Sequence, residues 1–446
     1  MEGGVFVEKI VPSDGAEFAM RRLREHGFEA YAVGGCVRDS LLGRVPNDWD
    51  LTTNARPDQT ASCFCDCRII DTGMKHGTVA VLYEGELLEI TTYRLDGAYL
   101  DNRHPADVTF SSQLRDDLSR RDFTVNAMAY HPDEGVVDCF DGQADLQARV
   151  IRCVGEARTR FEEDGLRILR AIRFASVLGF DVEEKTAMAV HGCRHLLSNI
   201  ANERIREEFC KLICGRDAVK ILRAFSDVVA VFLPELEASF GFEQFSKYHC
   251  YDVWEHTLRA LEEERTGELV TRLGILFHDI GKPSCFMKDE KGGHFPKHAE
   301  ASVELTDAIM RRLRFDNATR ELVLKLVKYH DVPLIPEPKH VKRAILRFGE
   351  YGLRTLLEIQ RCDRLAHAPE HAMLPPSLEQ IPRIMDKIRA ENACLSLKDL
   401  AVKGDDLLAL GYPSGREVGE ILQRLLDAVI DGELPNEKDV LLKSLK

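Results

Sequence analysis

The amino-acid sequence predicts an α+β protein in which a mixed α/β head is followed by an elongated, all-helical remainder. Up to about residue 145, short runs typical of strands alternate with helical patterns, whereas from about residue 146 the apolar period is helical almost to the end. The chain has 446 residues, which is more than one hydrophobic core usually supports. Two to four domains are therefore expected.

Each element is predicted from its own local pattern. Strands are expected at residues 30–33, 78–83 and 87–93, the last two joined by a turn at Gly85. Alternation from Cys63 to Cys67 into Ile70 predicts another half-buried strand; a zinc site is less favoured there because C-x-C-x-C is not the usual ligand spacing. Segments with a helical apolar period lie at residues 166–178, 204–213, 251–264, 301–313, 322–329 and 353–365.

The bulk composition is that of an ordinary globular protein, with 44% hydrophobic and 30% charged residues. The sequence has no run of about 18 apolar residues and no N-terminal signal pattern, so we expect a cytoplasmic protein without a membrane span. Thirteen cysteines are an odd number scattered along the chain, which indicates reduced thiols.

The net charge of −14, from 60 Lys and Arg against 74 Asp and Glu, argues against a general nucleic-acid coat protein. Local basic tracks on an acidic body remain compatible with this charge. Residues 311–314 and 339–343 are two such tracks. Each is either a nucleic-acid contact or a solvated helix face, and the second interpretation is favoured.

A glycine turn followed by two aspartates is the first candidate site. Glycine has no Cβ and tolerates positive φ, so the backbone at Gly34 and Gly35 can approach a ligand closely. The N–H groups of this turn, with Arg38, are suited to hold a triphosphate. Asp48 and Asp50 are two residues apart on a predicted strand and therefore share a face.

Two carboxylates side by side repel each other, and a bound cation relieves that repulsion. Mg²⁺ between Asp48 and Asp50 is the arrangement that nucleotidyl transfer uses. Glu89, a polar residue within a predicted strand, is a candidate third carboxylate, although it could equally face solvent. The alternative for the aspartates is two surface side chains near a turn.

Four segments, read in order, extend this pattern. They are GGCVRD at 34–39, DWDLTT at 48–53, RRDFTVNAMAY at 120–130 and EEDGLRILRAIRFA at 162–175. Together they resemble the class II tRNA nucleotidyltransferase and poly(A) polymerase family, which belongs to the DNA polymerase beta superfamily. The resemblance implies a nucleotidyltransferase head (1–145), a helical, nucleotide-selecting neck (146–220), a helical body with an HD metal domain (221–370) and a helical tail that is tRNA-binding or structural (371–446).

The resemblance also implies a role for each matching residue. Asp48 and Asp50 match the catalytic metal-binding pair. The residues implied in nucleotide binding are Gly34, Gly35, Arg38, Arg121, Asp122, Asn126, Asp164, Arg167 and Arg170. Asp138 and Gly142 match a hinge between head and neck, while Arg204 and Glu208 match a motif that braces the nucleotide-selecting helix.

The implied selection of CTP and ATP also has a chemical rationale. Asp164 and Arg167 are three residues apart and are expected on one helix face. Cytosine and adenine both present an amino donor beside ring acceptors, which suits a carboxylate with a guanidinium. Uracil and guanine place a carbonyl where that amino group lies, so they would face the carboxylate unpaired. The alternative is an ordinary surface ion pair.

The family contains enzymes that add C, C and A to tRNA and enzymes that add fewer of these nucleotides or poly(A). Residues 94–105 resemble the flexible loop of CCA-adding members, and their Gly, Asp, Asn and Pro content fits a loop. CCA addition is therefore the leading interpretation, with tRNA, CTP and ATP as partners. A-adding, CC-adding and poly(A)-adding activities are the alternatives. No partner protein is implied, and a homodimer is left open.

A second candidate metal site lies in the predicted body. The segment LFHDIGKP at 276–283 resembles the signature of HD-domain phosphohydrolases, and further His and Asp follow at similar intervals. The candidate ligands are His256, His278, Asp279, His298, His330 and Asp363, with His249, His294 and Asp331 as possible replacements. Imidazole ligands suit Mn²⁺, Ni²⁺, Co²⁺ or Zn²⁺, and such a site could activate water to hydrolyse a phosphoester.

Two interpretations compete with hydrolysis at this site: a structural metal site and a relic that only braces the body. For the whole chain, the alternatives from other classes are an HD phosphohydrolase with an RNA-binding head and a binding-only tRNA chaperone. The intact acidic residues of the head disfavour both. The tail segment KGDDL at 403–407, followed by several glycines, is assigned to tRNA binding or structure.

Overall fold

This computed structural model describes residues 10–70, 77–96, 108–290, 292–391 and 393–445. The chain forms two compact units, residues 1–232 and residues 233–446. We call them unit 1 and unit 2.

Unit 1 contains the principal sheet. Its strands are β1 (Ala30–Val33), β2 (Asp50–Thr53), β3 (Arg68–Ile70), β4 (Thr78–Tyr83), β5 (Glu86–Thr92), β6 (Arg94–Asp96), β7 (Val108–Phe110), β8 (Met128–His131), β9 (Gly135–Asp138), β10 (Val150–Ile151) and β11 (Asp181–Val182). Among the described residues, seven of these strands form one sheet in the order β3-β4-β5-β2-β1-β8-β9. All its neighbours are antiparallel except the parallel pair β2 and β5. All four residues of β1 are buried, as expected for a central strand with no polar side chain other than a tyrosine hydroxyl.

The helices of unit 1 flank this sheet and then continue beyond it. They are α1 (Asp14–Glu25), α2 (Gly35–Leu41), α3 (Pro57–Cys63), α4 (Leu114–Ser119), α5 (Gly142–Ala148), α6 (Ala157–Glu163), α7 (Leu166–Leu178), α8 (Glu184–Cys193), α9 (Asn202–Ile213), α10 (Ala218–Ala224) and α11 (Ser226–Val229). Helix α7 is largely buried and ends at Gly179, whose φ of 72° gives the left-handed C-terminal cap that glycine favours.

Unit 2 is mainly helical. It contains α12 (Val253–Glu262), α13 (Leu269–Phe277), α14 (His298–Arg312), α15 (Asn317–Tyr329), α16 (Pro338–Leu365), α17 (Ser377–Ala390), α18 (Gly404–Ala409), α19 (Arg416–Asp431), α20 (Lys438–Lys443) and the hairpin of β12 (Met287–Asp289) and β13 (Gly292–His294). Asp252 caps α12 by accepting from the Glu255 N–H at 2.9 Å. Helices α13 and α16 approach so closely at Gly274 that a Cβ there would lie 2.5 Å from Ile359 Cδ1.

The predicted fold class is confirmed: a mixed α/β head precedes a helical remainder. The strand predicted at 78–83 and the helix predicted at 166–178 match β4 and α7 at both ends. The helix predicted at 353–365 is longer, since α16 begins at Pro338 and passes through a kink at Gly349 (φ 72°). The three boundaries between the four proposed domains remain predictions, although a hydrophobic cluster between Cys394 and Leu441 gives the tail residues a core of their own.

Three predictions were wrong. The strand expected from Cys63 is confined to β3, because Cys63 ends α3 and residues 64–67 form a turn. The remainder is not entirely helical, since β10 pairs with β11 in parallel and β12 pairs with β13 across Gly292 (φ 119°). Each of these strands has only two or three residues, which is too short for an alternation of apolar and polar residues to be recognised in the sequence. Asp164, expected on a helix face with Arg167, lies outside α7.

All thirteen cysteines fall in described parts of the chain and are free thiols. No helix within the described ranges is both long and apolar enough to cross a membrane. Of the flexible loop predicted at residues 94–105, residues 97–105 lie outside the described residues.

Candidate functional site

The turn between β1 and α2 requires glycine at its first position. Gly34 has a φ of 84°, and a Cβ added there would lie 2.9 Å from Nη1 of Arg121. A larger residue would be strained by the backbone angle and would also displace this guanidinium. The turn therefore holds the backbone of the predicted phosphate loop against Arg121.

Asp48, Asp50 and Glu89 lie on one face of the sheet. The strand predicted to carry both aspartates is shorter than expected, because β2 begins at Asp50 and Asp48 precedes it. Trp49, 6% exposed, is buried between the two exposed aspartates, so Asp48 and Asp50 are both on the solvent side. In the parallel ladder of β2 and β5, Asp50 is the direct partner of Glu89. Opposite residues on neighbouring strands point to the same side, so Glu89 lies beside Asp50.

The electrostatics of this face favour a bound cation. Partial desolvation by nearby protein atoms raises the pKa of Asp50, the charges of Asp48 and Glu89 raise it further, and Arg121 lowers it. The three carboxylates are not drawn into a tight group, since their oxygens do not all lie within 4.8 Å of one another. An open set of carboxylate oxygens that repel each other fits a hard divalent cation, which keeps several waters among its ligands.

A network of buried polar side chains connects the turn to α7. Asp122 is 8% exposed and accepts from Asn126 Nδ2 at 3.1 Å and from Arg170 at 2.6 and 2.9 Å. The side-chain amide oxygen Oδ1 of Asn126 accepts in turn from Arg38 Nη1 at 2.6 Å. Burial raises the pKa of Asp122, but Arg170 and Asn126 outweigh it and lower the pKa to about 2. Four of the predicted nucleotide-binding residues, Arg38, Asn126, Asp122 and Arg170, thus form one continuous network.

Arg121 is held by a buried carboxylate of α4, that of Asp117. Its Nη2 lies 3.4 Å from Oδ2 of Asp117, which is fully buried and also accepts from the Thr52 hydroxyl at 3.1 Å. Asp117 was not singled out from the sequence. Its only sequence signal is its spacing of three and four residues before Arg120 and Arg121 on a helical turn.

Asp164 and Arg167 occupy different local structures. Asp164 is the residue between α6 and the Gly165 cap of α7, and its Oδ1 accepts from the Leu166 N–H at 3.0 Å. Short acidic side chains favour such capping positions, which explains why the helix starts after Asp164. Arg167, 9% exposed, donates to Glu163 Oε2 at 2.6 Å and to the Arg120 carbonyl at 2.9 Å.

Helix α9 contacts both the cap and α7. Arg204 Nη2 lies 3.5 Å from Asp164 Oδ2. Glu208, which is buried, accepts from Arg173 Nε at 2.7 Å and lies 3.7 Å from Arg170. This geometry supports the bracing role predicted for Arg204 and Glu208. Arg173 was missed, although it is three residues beyond Arg170 on the same helix.

At the hinge predicted at Asp138 and Gly142, the Asp138 side chain caps the N-terminus of α5. Asp138 accepts from the N–H groups of Gly142 at 2.9 Å and Gln143 at 2.8 Å. A Cβ on Gly142 would lie 2.3 Å from the Thr124 carbonyl oxygen, so only glycine fits.

Unit 2 brings together the six predicted ligands of the second site. They come from five helices or from residues that directly follow them: His256 (α12), His278 and Asp279 (after α13), His298 (start of α14), His330 (directly after α15) and Asp363 (α16). Four imidazoles have Nδ1 within 2.6–3.2 Å of a main-chain carbonyl, namely those of Ala366, Ile275, Phe295 and Val327. A carbonyl only accepts, so each Nδ1 donates and each neutral ring directs the Nε2 lone pair into the cluster.

These side chains form two ligand groups that share Asp279. His256, His278, Asp279 and Asp363 form the first, and Asp279, His298 and His330 the second, each with ligand atoms within 4.8 Å. The Nε2 atoms of His298 and His330 are 3.2 Å apart. Two facing lone pairs at this distance repel unless a cation or a shared proton lies between them. We call the six residues the metal cluster.

The buried charge of the metal cluster is incompletely satisfied by the protein. His278 Nε2 lies 3.1 Å from Asp279 Oδ2, whereas Asp279 Oδ1 is buried without a hydrogen bond and lies 3.5 Å from His298 Nε2 and 3.7 Å from His330 Nε2. Asp279 and Asp363 outweigh the effect of burial and raise the pKa of His278, so these carboxylates favour a positive charge at its Nε2, whether that charge is a proton or a metal ion that replaces the proton. Lys282 contributes an ammonium 2.6 Å from Asp279 Oδ2. The donor set and the Oδ1 of Asp279 fit a transition-metal site.

A cavity of about 470 Å³ opens onto the metal cluster. Asp279, His298, His330 and Asp363 line it. The three residues noted as replacements, His249, His294 and Asp331, also line the cavity. Lys282 and Arg364 add positive charge to the wall, which suits an anionic ligand.

The two basic tracks, at residues 311–314 and 339–343, form ion pairs with acidic residues of unit 2. Arg312 forms a bidentate pair with Glu235 at 2.6 and 2.8 Å, and Arg311 pairs with Asp307 at 2.7 Å. Arg343 pairs with Asp431 at 2.5 Å. These contacts support the interpretation of both tracks as solvated helix faces.

Comparison with known proteins agrees with this geometry. Residues 30–152 match the family described as the poly A polymerase head domain, residues 179–240 match a probable RNA and SrmB-binding site of polymerase A, and residues 298–445 match a putative second domain of tRNA nucleotidyltransferases. The CCA-adding enzyme of Lactobacillus helveticus is 33% identical over 431 residues, which cover 96% of this chain and 95% of that protein. The chain belongs to the CCA-adding enzyme family.

The likeness to this family extends to solved structures. The crystal structure of the Bacillus stearothermophilus CCA-adding enzyme in complex with CTP superposes with a TM-score of 0.73, at 29% identity and over 96% of each chain. The match to the CCA-adding enzyme of Lactobacillus delbrueckii subsp. bulgaricus is 50% identical but shorter, spanning 48% of this chain and 53% of that protein. The resemblance inferred from the sequence and the assignment as a nucleotidyltransferase are both confirmed.

The pairing of Asp122 predicts an acid-dependent loss of stability. Its folded pKa of about 2 lies below the unfolded value, so its stabilisation is complete above about pH 4 and disappears as the pH falls through 2. We expect the difference in unfolding free energy between the wild type and Asp122→Asn to shrink by about 2 kcal/mol over this interval. Urea unfolding from pH 6 to pH 2, followed by circular dichroism, measures it. A difference that does not vary with pH would contradict the pairing.

Proposed function

We propose that this chain is a CCA tRNA nucleotidyltransferase that adds CMP, CMP and AMP to the 3′ end of tRNA. CTP and ATP are the donors, pyrophosphate is the leaving group, and no nucleic-acid template is used. The observation that carries the proposal is the alignment of Asp48, Asp50 and Glu89 on one sheet face beside the glycine turn. Membership in the CCA-adding enzyme family and the likeness to a relative in complex with CTP support it.

The reaction joins the 3′ oxygen of the tRNA to the α-phosphorus of the nucleotide and breaks the bond to pyrophosphate. Asp48 and Asp50 would hold Mg²⁺, and the chemistry that bound Mg²⁺ would supply is activation of the attacking hydroxyl and neutralisation of the charge on the pyrophosphate, with two ions in the two-metal form of this reaction. Glu89 adds a third carboxylate on the same face. Gly34 and Gly35 allow the backbone to approach the triphosphate, while Arg38 and Arg121 contribute positive charge beside it.

Base selection is assigned to Asp164 and Arg167. Asp164 accepts a hydrogen bond from the amino group that cytosine and adenine share, and Arg167 donates to the neighbouring ring acceptors. The contacts of Asp164 with Arg204 and of Arg167 with Glu163 support this role, because each side chain is held by a charged partner. A fixed pair discriminates better than a mobile one, since it cannot adapt to uracil or guanine.

A second activity is proposed for the metal cluster. We propose that it hydrolyses a phosphoester such as a 2′,3′-cyclic phosphate or a terminal phosphate on damaged tRNA. The Oδ1 of Asp279, which has no hydrogen bond, and the grouped imidazoles support binding of Mn²⁺, Ni²⁺, Co²⁺ or Zn²⁺. The chemistry that such an ion supplies is activation of water. Lys282 and Arg364 line the cavity, where they can hold the phosphate oxygens.

The transfer proposal is tested on tRNAs that end at the discriminator base, at –C and at –CC, each with Mg²⁺ and radiolabelled CTP or ATP. We expect –CCA on the first, completion of the other two, and loss of incorporation by at least about a thousandfold in Asp48→Ala, because a metal carboxylate is removed. Asp58→Asn, an exposed carboxylate of the same unit, is the matched control and should retain activity. Incorporation of A alone on –CC would replace CCA addition with A addition, and extension with A on any RNA would indicate a poly(A) polymerase.

Removal of Asp164 should relax base choice. In Asp164→Ala we expect the preference for CTP over UTP to fall by about 10- to 100-fold, the value of one hydrogen bond to a charged group. Single-nucleotide incorporation with each of the four nucleotides measures it. Asp181→Ala, an exposed residue paired with Lys220, is the control. An unchanged preference with reduced rate would limit Asp164 to capping α7.

Single substitutions should abolish CCA addition and phosphoester hydrolysis independently of each other. His278→Ala removes a ligand of the metal cluster, so we expect hydrolysis of a 2′,3′-cyclic or terminal phosphate, assayed with Mn²⁺, Ni²⁺, Co²⁺ or Zn²⁺, to fall by at least about 100-fold. CCA addition should stay within about twofold of the wild type. Asp48→Ala should show the opposite pattern. Equal hydrolysis by the wild type and His278→Ala would show that the metal cluster is not the source of the activity.

A further inference from the structure

Two exposed aromatic side chains lie at the mouth of the cavity that opens onto the metal cluster. Ser246 and His249 line this cavity. Phe245 and Tyr248, their neighbours in the chain, are 47% and 44% exposed, although aromatic rings are usually more deeply buried. Because these two residues flank the lining residues, their rings lie at the entrance of the cavity. We call residues 245–248 the rim segment.

The backbone of the rim segment is held in a conformation that keeps the first ring outside. Phe245 has a φ of 50°, which a bulky residue rarely adopts. Its carbonyl oxygen accepts from the Gly293 N–H at 2.8 Å, and a Cβ on Gly292 would lie 2.6 Å from the same oxygen. The side chain of Gln244 is buried and accepts from the Lys282 ammonium at 2.9 Å. Gln244 therefore points towards the metal cluster, and the strained residue after it directs its ring to solvent. Strain of this kind persists where neighbouring contacts enforce it and is frequent at ligand sites.

Each ring of the rim segment has an ammonium group beside it. Lys288 Nζ lies 3.6 Å from the centroid of the Phe245 ring, and Lys247 Nζ lies 4.9 Å from that of Tyr248. The carboxylate of Asp289, next to Lys288, accepts from an imidazole of the same hairpin at 3.0 Å. The positive charge on the cavity wall thus continues to the two exposed rings, which suits a polyanionic ligand.

The size of the cavity limits which part of a substrate it can hold. Its volume of about 470 Å³ lies within the range of about 300–1,000 Å³ that is typical of small-ligand sites. One terminal nucleotide fits such a volume, whereas the nucleotides before it must lie outside. Exposed rings with nearby ammonium groups are a surface that single-stranded nucleic acids use, because bases stack on the rings and phosphates contact the charges. The bases of a duplex are already stacked and paired, so a duplex end would not use this surface.

We infer that the rim segment, together with Lys288, binds the single-stranded end of an RNA by stacking unpaired bases on Phe245 and Tyr248, while the terminal phosphate reaches the metal cluster. The inference rests on the proposed phosphoester hydrolysis and names its substrate class. That class is a polynucleotide end whose bases are unpaired next to its terminal or 2′,3′-cyclic phosphate. Mononucleotides reach the same metal cluster without the contribution of the rings.

Hydrolysis kinetics separate this binding from the chemistry. The substrates are uridine 2′,3′-cyclic phosphate and a uridine trinucleotide that ends in the same group, each with Mn²⁺, Ni²⁺, Co²⁺ or Zn²⁺. We expect the wild type to have a KM about 10- to 100-fold lower for the trinucleotide, the effect of base stacking on an aromatic ring. Phe245→Leu/Tyr248→Leu keeps apolar bulk but removes both rings. In this variant the KM for the trinucleotide should rise to within about threefold of the mononucleotide value, because stacking is lost, while kcat for both substrates stays within about twofold of the wild type.

Two further variants serve as controls. Phe245→Tyr/Tyr248→Phe keeps both rings and should retain the low KM for the trinucleotide. Tyr351→Ala removes an exposed aromatic ring of the same unit that does not line the cavity, and it should behave as the wild type. The inference is overturned if the wild type has equal KM values for the two substrates, or if the leucine variant retains the preference. Absence of hydrolysis with either substrate overturns the proposed hydrolysis.

Photo-crosslinking tests the rim segment independently of turnover. A short single-stranded oligouridine with a 3′-phosphate and 4-thiouridine next to its last residue is irradiated with the full-length chain in EDTA, and crosslinked peptides are identified by mass spectrometry. We expect a crosslink within the rim segment, with a yield about 10-fold lower in Phe245→Leu/Tyr248→Leu and in a blunt duplex that carries the same 3′ end. Crosslinks elsewhere in the chain with none in the rim segment would contradict the inference. A crosslink in the rim segment without hydrolysis would leave RNA binding in place and remove only the proposed hydrolysis.

Discussion

The negative charge of a carboxylate that is buried away from water must be compensated by positive charge or by hydrogen-bond donors. The candidate site of each unit contains one such carboxylate. In unit 1 that group is Asp122, whose oxygens accept from Arg170, Asn126 and the Phe123 N–H. In unit 2 it is Asp279, whose Oδ2 lies 2.6 Å from the Lys282 ammonium while its Oδ1 is buried without a hydrogen bond. The protein thus meets the constraint fully in the first case and only in part in the second, where one oxygen is left for a bound cation. This difference distinguishes the hydrogen-bond network around Asp122 from the metal cluster around Asp279.

The two candidate metal sites differ in the chemistry of their ligands. The face of Asp48, Asp50 and Glu89 offers only carboxylate oxygens, is open to solvent and suits a hard ion that retains water. The metal cluster offers four imidazoles whose Nε2 lone pairs are fixed by main-chain carbonyls, which suits transition metals. Ligand type and rigidity therefore assign different ions to each site, and the nucleotidyl-transfer chemistry requires only the first.

Much of this could be predicted from the sequence because it depends on periodicity or short-range spacing. The period of two placed β4, and the period of 3.6 placed α7 with both ends correct. The sequence did not show that β2 lies parallel to β5, which is what sets Glu89 beside Asp50, because strand pairing is a long-range contact. Likewise, no spacing rule connects His249 to His367, which are brought together only when α12 and α16 pack. Asp164 was misplaced because helical spacing was extended through Gly165, where capping chemistry prevails.

Helix α7 connects recognition of the base to the network near the phosphates. Arg167 and Arg170 are one turn apart on it, and Arg170 contacts Asp122 of the head network while approaching Glu208 of α9. Arg204, on the same α9, contacts Asp164 at the start of α7. A shift of α7 would therefore change the geometry of Asp164, Arg167 and Asp122 together, since charged contacts on both sides tie them to one rigid element. Under the proposed assignment of base selection to Asp164 and Arg167, base choice and placement of the triphosphate would be coupled through this helix, and a nucleotide whose base does not fit would also leave its phosphates misaligned with Asp48 and Asp50.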